Sequence, residues 1–215
     1  MLHYLPIMEH PVIETHQLSK FYGKVRGIEN LEMCIREGEI FGFIGPNGAG
    51  KSTTIRILLN LIFPTSGTAK IMGMDAIRDT RKIKAEIGYL PSDASPYPAM
   101  KVDEFLRYCL RYYSGRSGAE RIHELCSWFE LDERRNIAEL SVGNRKKVAI
   151  VQSLIHRPRL LILDEPTTGL DPLMQARFFE LLQQENEHGL TIFFSSHVLS
   201  EVQKFCRRGA IIRDG

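Results

Sequence analysis

The sequence predicts an α/β fold organised around a parallel β-sheet, and three short apolar runs support this prediction. They lie at positions 40–44, 160–163 and 191–194. Strands that are covered on both faces in a parallel sheet have such continuous apolar runs, whereas half-exposed strands alternate. Asp171 and Pro172 follow the second run as a helix start, and Gly189 precedes the third as a helix stop. Strand, helix and strand therefore alternate along the chain, as they do in α/β proteins.

Length and charge narrow the class of protein. The 215 residues are enough for one large domain, or for one domain that carries an insertion. Hydrophobic residues make up 43% and charged residues 25%, which is ordinary for a globular protein. The formal net charge of +2 gives no general attraction to nucleic acid or to anionic lipid. The sequence has no apolar run of about 18 residues or more, so we expect no bilayer-spanning segment in it.

Cysteine spacing gives no sign of a metal site. The four cysteines are widely separated and include no C-x-x-C pair. We therefore expect neither a zinc site nor a disulfide framework, and a reducing cytosolic compartment fits. The residues concerned are Cys34, Cys109, Cys126 and Cys206.

Local patterns predict a first strand and a helix near the N-terminal end of the core. Apolar and polar residues alternate over 31–36 and end in a turn at 37–38, which predicts a half-buried strand. The apolar run at 40–44 continues through glycines into a helix predicted over 54–59. We expect Pro64 to close that helix.

The middle of the chain differs, because helical patterns prevail there. Helices are predicted over 103–113 and 119–130, and Pro158 disfavours helix at Arg157. A helical insertion into an α/β core is the most economical organisation. The predicted parts are an N-terminal extension at 1–11, a core at 12–90 and 157–215, and a helical insertion at 91–156.

Residues 45–52 match the phosphate-binding pattern G-x-x-x-x-G-K-[ST]. Glycines let the backbone curl so that its N–H groups face phosphate oxygens, and the following helix adds its positive end. Lys51 would neutralise the β- and γ-phosphates, and the Ser52 hydroxyl would bind Mg²⁺. A flexible glycine turn is the plainer alternative, but this loop joins a buried strand to a helix. The predicted nucleotide contacts are Gly45, Pro46, Asn47, Gly48, Ala49, Gly50, Lys51, Ser52 and Thr53.

Two carboxylates, Asp164 and Glu165, follow the buried strand at 160–163. Ligands of open α/β sheets bind at the carboxyl ends of the strands. Asp164 would hold Mg²⁺, often through water, and Glu165 would polarise the water that attacks the phosphate. An acidic strand end that caps the next helix is the alternative. Beside a phosphate loop the catalytic interpretation is favoured, because Mg²⁺-dependent phosphoryl transfer requires such a carboxylate.

The stretch from 140 to 172, with its run DEPTTGLDP, resembles the ABC ATPase family, and the resemblance extends over roughly residues 12–215. It implies an α/β P-loop NTPase core of the RecA-like type with a parallel sheet. An N-terminal antiparallel β part and an inserted α-helical subdomain complete the implied fold. The resemblance also implies ATP and Mg²⁺ as cofactors, and a second ATPase subunit in a homo- or heterodimer.

Residues 140–144 correspond to the family's signature motif, which is usually L-S-G-G-Q. Ser141 and the N–H groups around Gly143 would open a helix predicted over 145–155. In the family this helix end grips the γ-phosphate of ATP held by the other subunit, which is anion binding at a helix N-terminus. Val142 and Asn144 depart from the usual glycine and glutamine, whereas the phosphate-facing serine and second glycine remain.

The resemblance assigns further roles one residue at a time. His197 corresponds to the family's switch histidine, which would bind the γ-phosphate and hold Glu165 and water. Asp171 would couple the two sites of a dimer while also capping its helix. Tyr22 matches the aromatic residue that stacks on adenine, a contact worth ~1–3 kcal/mol. Ser92 occupies the position of a glutamine that touches Mg²⁺ and water, and its shorter side chain reaches less far.

The resemblance also implies a function and partners. The leading hypothesis is the motor subunit of an exporter, cytoplasmic and peripheral on the inner face of the cell membrane. Its partner would be a separate transmembrane permease subunit, and no nucleic acid is expected. The alternatives are a soluble ATPase acting on ribosomes or DNA, and a nucleotide sensor with weak hydrolysis. The candidate permease-facing residues, which could equally form the core of the insertion, are Tyr97, Met100, Phe105, Tyr108 and Tyr112.

Overall fold

The computed structural model describes residues 11–94, 96–113 and 118–215. The predicted N-terminal extension at 1–11 therefore lies outside the described residues, apart from Pro11. The strands are β1 (Pro11–Tyr22), β2 (Val25–Arg36), β3 (Ile40–Ile44), β4 (Ser66–Ile71), β5 (Met74–Asp75), β6 (Ile87–Leu90), β7 (Leu160–Asp164), β8 (Thr191–Ser196) and β9 (Arg208–Ile211). The helices are α1 (Lys51–Leu58), α2 (Thr80–Lys84), α3 (Val102–Leu110), α4 (Ala119–Trp128), α5 (Val142–Leu154), α6 (Pro172–Glu187) and α7 (Leu199–Phe205), with a 3₁₀ turn at Ile137–Glu139.

In the described part of the chain the strands form two sheets, which confirms the predicted α/β architecture. A parallel sheet has the strand order β6-β7-β8-β3-β9. An antiparallel sheet has the order β2-β1-β4-β5 and contains the first two strands of the chain. Helices α3, α4 and α5 follow one another between β6 and β7, in the segment where the sequence predicts a helical insertion.

Alternate residues of the parallel strands enter two separate hydrophobic cores. Leu161 and Leu163 of β7 pack with residues of α5 and α6, whereas Leu160 and Ile162 pack on the opposite side with residues of α1 and β4. Both faces of β7 are therefore buried from solvent. This explains why the sequence of β7 is continuously apolar rather than alternating.

Helices α1 and α4 end one and two residues earlier than predicted, and both ends have the same physical cause. Helix α1 ends at Leu58, six residues before Pro64, because Asn60 adopts a left-handed conformation at φ 49°. The Leu61 N–H then donates to the Arg56 carbonyl oxygen at 2.8 Å, which is the bond of a Schellman cap. Helix α4 ends at Trp128 rather than at Glu130, which has φ 52° in the same kind of cap.

Three other predicted boundaries also shift. Helix α1 begins at Lys51 instead of 54, so its first turn belongs to the phosphate-loop motif. Helix α3 covers Val102–Leu110 and ends before 113. Helix α5 begins at Val142 instead of 145, because the Ser141 hydroxyl accepts the Asn144 N–H at 3.2 Å and thereby caps the helix.

The start and stop predicted for α6 are confirmed. The Asp171 carboxylate accepts the Met174 N–H at 2.9 Å, and Pro172 occupies the first turn. Gly189 follows the helix with φ 98°, a conformation that glycine adopts without steric cost. Within the described residues, none of the helices combines the length and the apolar character needed to cross a membrane.

Candidate functional site

A cavity of about 400 Å³ opens where the phosphate loop meets the carboxyl ends of the parallel strands. Strands β3, β7 and β8 are neighbours and run parallel, so the residues that follow them meet at one edge of the sheet. The cavity is lined by Pro46, Asn47, Gly48, Gly50, Lys51, Ser52, Thr53, Ser92, Glu165, Thr168 and His197. The structure thus brings the predicted phosphate loop together with the predicted base and switch histidine.

The curl of the phosphate loop depends on two glycines in crowded positions. A Cβ atom at Gly50 would lie 2.6 Å from the Gly27 carbonyl oxygen, and the residue has φ 110°. A Cβ atom at Gly45 would lie 2.4 Å from the Ile212 carbonyl oxygen. No side chain fits either space, so close backbone approach requires both glycines, and the positive φ of Gly50 is a second requirement at that position.

Lys51 holds a buried ammonium group inside the curl of the loop. Its side chain is 6% exposed, and Nζ donates to the Gly45 and Pro46 carbonyl oxygens at 2.6 and 3.2 Å. Nζ also lies 3.1 Å from Oε1 of Glu165. A buried charge is stable only when it is paired and hydrogen-bonded. Lys51 is therefore a fixed cation for which a phosphate group and the Glu165 carboxylate would compete.

Glu165 lies between two partners of the site. Its Oε2 is 2.6 Å from Nδ1 of His197, while Oε1 faces Lys51. The residue has φ 50°, which is uncommon for a residue with a side chain and occurs where the surrounding structure demands it. The Glu165 N–H donates to the Ser195 carbonyl oxygen at 3.2 Å, and this bond anchors the strained turn on β8.

Asp164 and Ser52 provide oxygen atoms suited to Mg²⁺. Asp164 is buried at the end of β7, and its Oδ1 accepts the Ser195 hydroxyl at 2.8 Å. Among residues 11–94, 96–113 and 118–215, no group of three or more His, Cys, Asp or Glu side chains could hold a metal ion. Mg²⁺ commonly binds through one or two protein oxygens together with substrate phosphates. The residues therefore fit an ion that arrives with a nucleotide.

Burial and the carboxylates at this edge of the sheet change the pKa values of two neighbouring groups. Burial raises the pKa of Tyr89 to about 12, and the negative charge of Asp164 acts in the same direction. Burial lowers the pKa of Lys146, whereas the charges of Asp164, Asp93 and Glu165 oppose that change. Lys146 is thus a second buried cation near the site.

Ser141 and Gly143 do not line this cavity. They lie at the start of α5, where the neighbouring Val142 is 69% exposed. A Cβ atom at Gly143 would be 3.6 Å from the Gly169 carbonyl oxygen, so the helix start lies close to the loop before Asp171. The predicted signature motif therefore forms an outer surface, separate from the phosphate loop of the same chain.

Tyr22 lies at the end of β1, outside the cavity lining, and is 46% exposed. A Cβ atom at Gly27 would lie 3.0 Å from Cε2 of Tyr22 and 3.2 Å from Cγ2 of Thr53. Both side chains therefore flank Gly27. Lys20 Nζ lies 5.3 Å from the Tyr22 ring centroid, within cation–π range.

Sequence reasoning missed three residues of this region. Thr168 lines the cavity, and its place at the end of the run DEPTT was the available signal. Ser195 orients Asp164 across two paired strands, and Lys146 reaches the loop after β6. The last two contacts depend on tertiary packing and leave no local pattern in the sequence.

Comparison with known proteins gives a consistent result. The family model described as "ABC transporter" matches residues 28–168. The chain is 35% identical over 206 residues to the probable multidrug ABC transporter ATP-binding protein YbhF of Escherichia coli, covering 94% of this chain and 36% of that protein. It is 35% identical to the linearmycin resistance ATP-binding protein LnrL of Bacillus subtilis, covering 95% and 67%. The chain therefore spans about a third of the length of the first relative and two thirds of the second.

Solved structures share the fold at similar levels of identity. An ATP-binding subunit of an ABC transporter superposes with a TM-score of 0.88 at 31% identity, covering 95% of this chain and 87% of that chain. A bacterial ABC transporter cassette, solved in a dimeric structure, superposes with a TM-score of 0.86 at 27% identity, covering 94% and 95%. The similarity thus extends over nearly the whole described chain.

The buried ammonium of Lys51 gives the first testable prediction. We expect Lys51→Ala to weaken ATP binding by about 10–100-fold or more, because hydrogen bonds to charged groups contribute about 1.5–3 kcal/mol each. Isothermal titration with ATP measures the loss. Lys82→Ala serves as the matched control, because Lys82 has a 76% exposed side chain that pairs with Asp79 on the surface. Equal ATP affinity in the two variants would contradict the assignment of the phosphate loop.

Proposed function

Because the chain belongs to the ABC transporter family, we propose that it is the ATP-binding and ATP-hydrolysing motor subunit of a membrane exporter. Two copies would hold two ATP molecules between them and drive movement of a substrate by a separate membrane protein. The observation that carries the proposal is the array of Lys51, Glu165 and His197 at one edge of the sheet. The Glu165 carboxylate lies within hydrogen-bonding distance of Lys51, which would bind phosphate, and of His197, which would orient the carboxylate as a base.

The phosphate loop and the carboxylate have separable tasks in this mechanism. Loop N–H groups and Lys51 would hold the phosphates, and Mg²⁺ bound with the nucleotide would neutralise their developing charge. When the γ-phosphate binds the Lys51 ammonium group, Oε1 of Glu165 would lose its ion-pair partner and could accept a hydrogen bond from a water molecule. His197, 2.6 Å from Oε2, holds the carboxylate in place. Glu165 would accept the proton of the attacking water.

The outward-facing start of α5 supports a site shared by two chains. Ser141 caps the helix, and the exposed Val142 lies in its first turn. The N-terminus of a helix carries unpaired N–H groups and a positive dipole, which favour a phosphate group. Because this helix start does not line its own cavity, the phosphate that it would bind belongs to ATP on a second copy. A similar cassette has been solved as a dimer.

Names of relatives support the transport role and the outward direction. Similar proteins are described as multidrug, bacitracin transport and Nod factor export ATP-binding proteins, and another is named for linearmycin resistance. The proposed location is peripheral, on the inner face of the cell membrane. An ATPase acting on ribosomes or DNA and a nucleotide sensor are not favoured, since these relatives are named for transport and resistance.

The predicted permease-facing residues divide into two groups. Phe105 is buried, and Met100 packs against the hydrophobic core that contains Leu161 and Leu163. In contrast, Tyr97, Tyr108 and Tyr112 are 61%, 38% and 69% exposed. Tyr108 lies edge-on to both of the others, and its hydroxyl lies 2.8 Å from that of Tyr112. We name these three residues the tyrosine patch and propose it as part of the surface that meets the membrane partner.

Glu165→Gln tests the catalytic role and the dimer together. The amide keeps the shape of the carboxylate but cannot accept a proton, so hydrolysis should fall by about 10²–10⁴-fold. ATP affinity should stay near normal or rise, because Lys51 loses its competing anion. ATP-dependent dimers should then accumulate, and size exclusion with light scattering detects them.

Two further variants make this test specific. Glu187→Gln is the matched control, because Glu187 is exposed, and it should hydrolyse ATP normally without trapping a dimer. Adding Ser141→Arg to Glu165→Gln should release the dimer, because a bulky side chain blocks the helix end. Loss of the helix cap costs about 1 kcal/mol, too little to unfold a domain of this size. Wild-type hydrolysis in Glu165→Gln would remove Glu165 from the chemistry.

The tyrosine patch gives a separate prediction about the membrane partner. At native expression, we expect a multi-helix polypeptide to co-purify with the full chain from membranes. The double variant Tyr108→Ala/Tyr112→Ala should reduce the membrane-bound fraction at least about 10-fold, since truncating a central aromatic commonly costs about 2 kcal/mol or more. Val25→Ala is the control, because Val25 is 68% exposed on β2. Equal loss in both variants would contradict the role of the patch.

A further inference from the structure

Helix α5 lies beside strand β6, and close contacts join the two segments near the C-terminal end of the helix and near its start. Near the helix end, His156 Nε2 donates to the Ile87 carbonyl oxygen at 3.1 Å. In the last turn of α5, a Cβ atom at Gly88 would lie 2.1 Å from the Ser153 carbonyl oxygen, so the two backbones nearly touch. This approach excludes any residue larger than glycine at position 88.

Lys146 provides the attachment near the start of the helix. Its Nζ donates to the carbonyl oxygens of Pro91 and Ser92, both at 3.2 Å. The ten residue steps from Lys146 to His156 span ~15 Å of helix. The five steps from Ile87 to Ser92 span ~17 Å of extended chain. Helix and strand are therefore matched in length and run side by side in opposite directions.

Burial of the Lys146 ammonium group between α5 and the segment after β6 carries an unfavourable desolvation free energy. The residue is 6% exposed. A buried cation is stable only when its hydrogen bonds are made, and here two of its three donors bind backbone carbonyls. A purely packing role would be filled by an apolar side chain of the same length. The charge and the donors at this position therefore call for a functional explanation.

The two ends of this unit belong to two different nucleotide sites. Ser92, at the strand end, lines the cavity that contains Lys51 and Glu165. Ser141, at the helix start, faces outward, where a second copy would bring its own ATP. Lys146 lies five residues after Ser141 and bonds the carbonyl oxygen of Ser92 directly. It is thus the side chain that joins the loop of one site to the helix of the other.

We propose that Lys146 is a positioning residue that transmits nucleotide occupancy of a chain's own cavity to its Ser141 helix end. This inference rests on the proposed function, because it requires an ATP-bridged dimer. A displacement of the Ser92 backbone on nucleotide binding is carried by Lys146 to the start of α5, while the His156 and Gly88 contacts hold the other end of the helix against β6. Because the Ser92 side chain is short, the coupling acts through the Ser92 backbone carbonyl oxygen, which accepts a hydrogen bond from Lys146.

Lys147 offers a matched control within the same helix. Its Nζ donates to the Phe129 carbonyl oxygen at 3.0 Å, at the end of α4 and away from the cavity lining. Lys146→Met and Lys147→Met each remove one lysine and its bonds to backbone carbonyls from α5. The two variants differ in whether the lost bonds reach the loop that lines the nucleotide cavity.

The experiment uses the full chain with Glu165→Gln, so that ATP is not consumed. We measure the ATP concentration that gives half-maximal dimer by light scattering, and the affinity for ADP by titration. ADP lacks a γ-phosphate for a partner's helix end to hold, so its affinity reports a single chain. Coupling between two sites is typically about 5–150-fold. Lys146→Met should raise the half-dimer ATP concentration at least roughly 10-fold, leaving ADP affinity within about 2-fold. Lys147→Met should shift neither quantity.

The possible outcomes separate this inference from the proposed function. If Glu165→Gln alone forms no ATP-dependent dimer, the proposed function fails and this inference fails with it. If that dimer forms but Lys146→Met and Lys147→Met behave alike, or Lys146→Met weakens ADP and ATP in parallel, only this inference is overturned. If Lys146→Met does not fold, Lys146→Gln decides, since its side chain stays polar but is uncharged and one atom shorter, which weakens the bonds to the Pro91 and Ser92 carbonyl oxygens. A shift of about 3-fold or more at unchanged ADP affinity supports coupling, and no shift overturns it.

Discussion

The candidate site is arranged around one ion pair, that of Lys51 Nζ and Glu165 Oε1 at 3.1 Å. A buried ammonium must be compensated, and three oxygen atoms meet that requirement here, two of them from the phosphate loop. The pair can form because β3 and β7 run parallel on either side of β8 and end at the same edge. The same geometry allows a ligand to compete for Lys51, since a phosphate oxygen can replace the Glu165 carboxylate oxygen at the ammonium group.

The rest of the fold keeps that edge rigid. Core residues on both faces of β7 and β8 fix the strands, and the strained turn at Glu165 is anchored by its bond to Ser195. Helix α7 packs so closely on β3 that a Cβ atom at Gly42 would lie 2.2 Å from a methyl group of Val202. Dense packing of this kind leaves the loops, rather than the sheet, free to respond to a ligand.

Features with a local cause were predictable from the sequence, and features set by tertiary contacts were not. The phosphate loop, the carboxylate strand and the Asp171 cap each depend on a few consecutive residues, so their patterns are visible in one stretch of chain. The caps that close α1 and α4 were not predicted, because Asn60 and Glu130 take a left-handed conformation that sequence patterns assign mainly to glycine. Ser195 and Lys146 could not be identified, since each acts on a segment at least 31 residues away along the chain. The roles assigned to the individual site residues, including Tyr22, Ser141 and Asp171, stay predictions.

In the proposed dimer, helix α5 of a second copy completes one chain's nucleotide site. The most direct measurement is the ATP hydrolysis rate per chain of the wild-type protein over a wide range of protein concentrations. Light scattering at each concentration gives the fraction of dimer. We expect the rate per chain to rise with protein concentration and to follow the dimer fraction, because a monomer lacks the second anion contact. A rate per chain that stays constant down to concentrations where the protein is monomeric would contradict it.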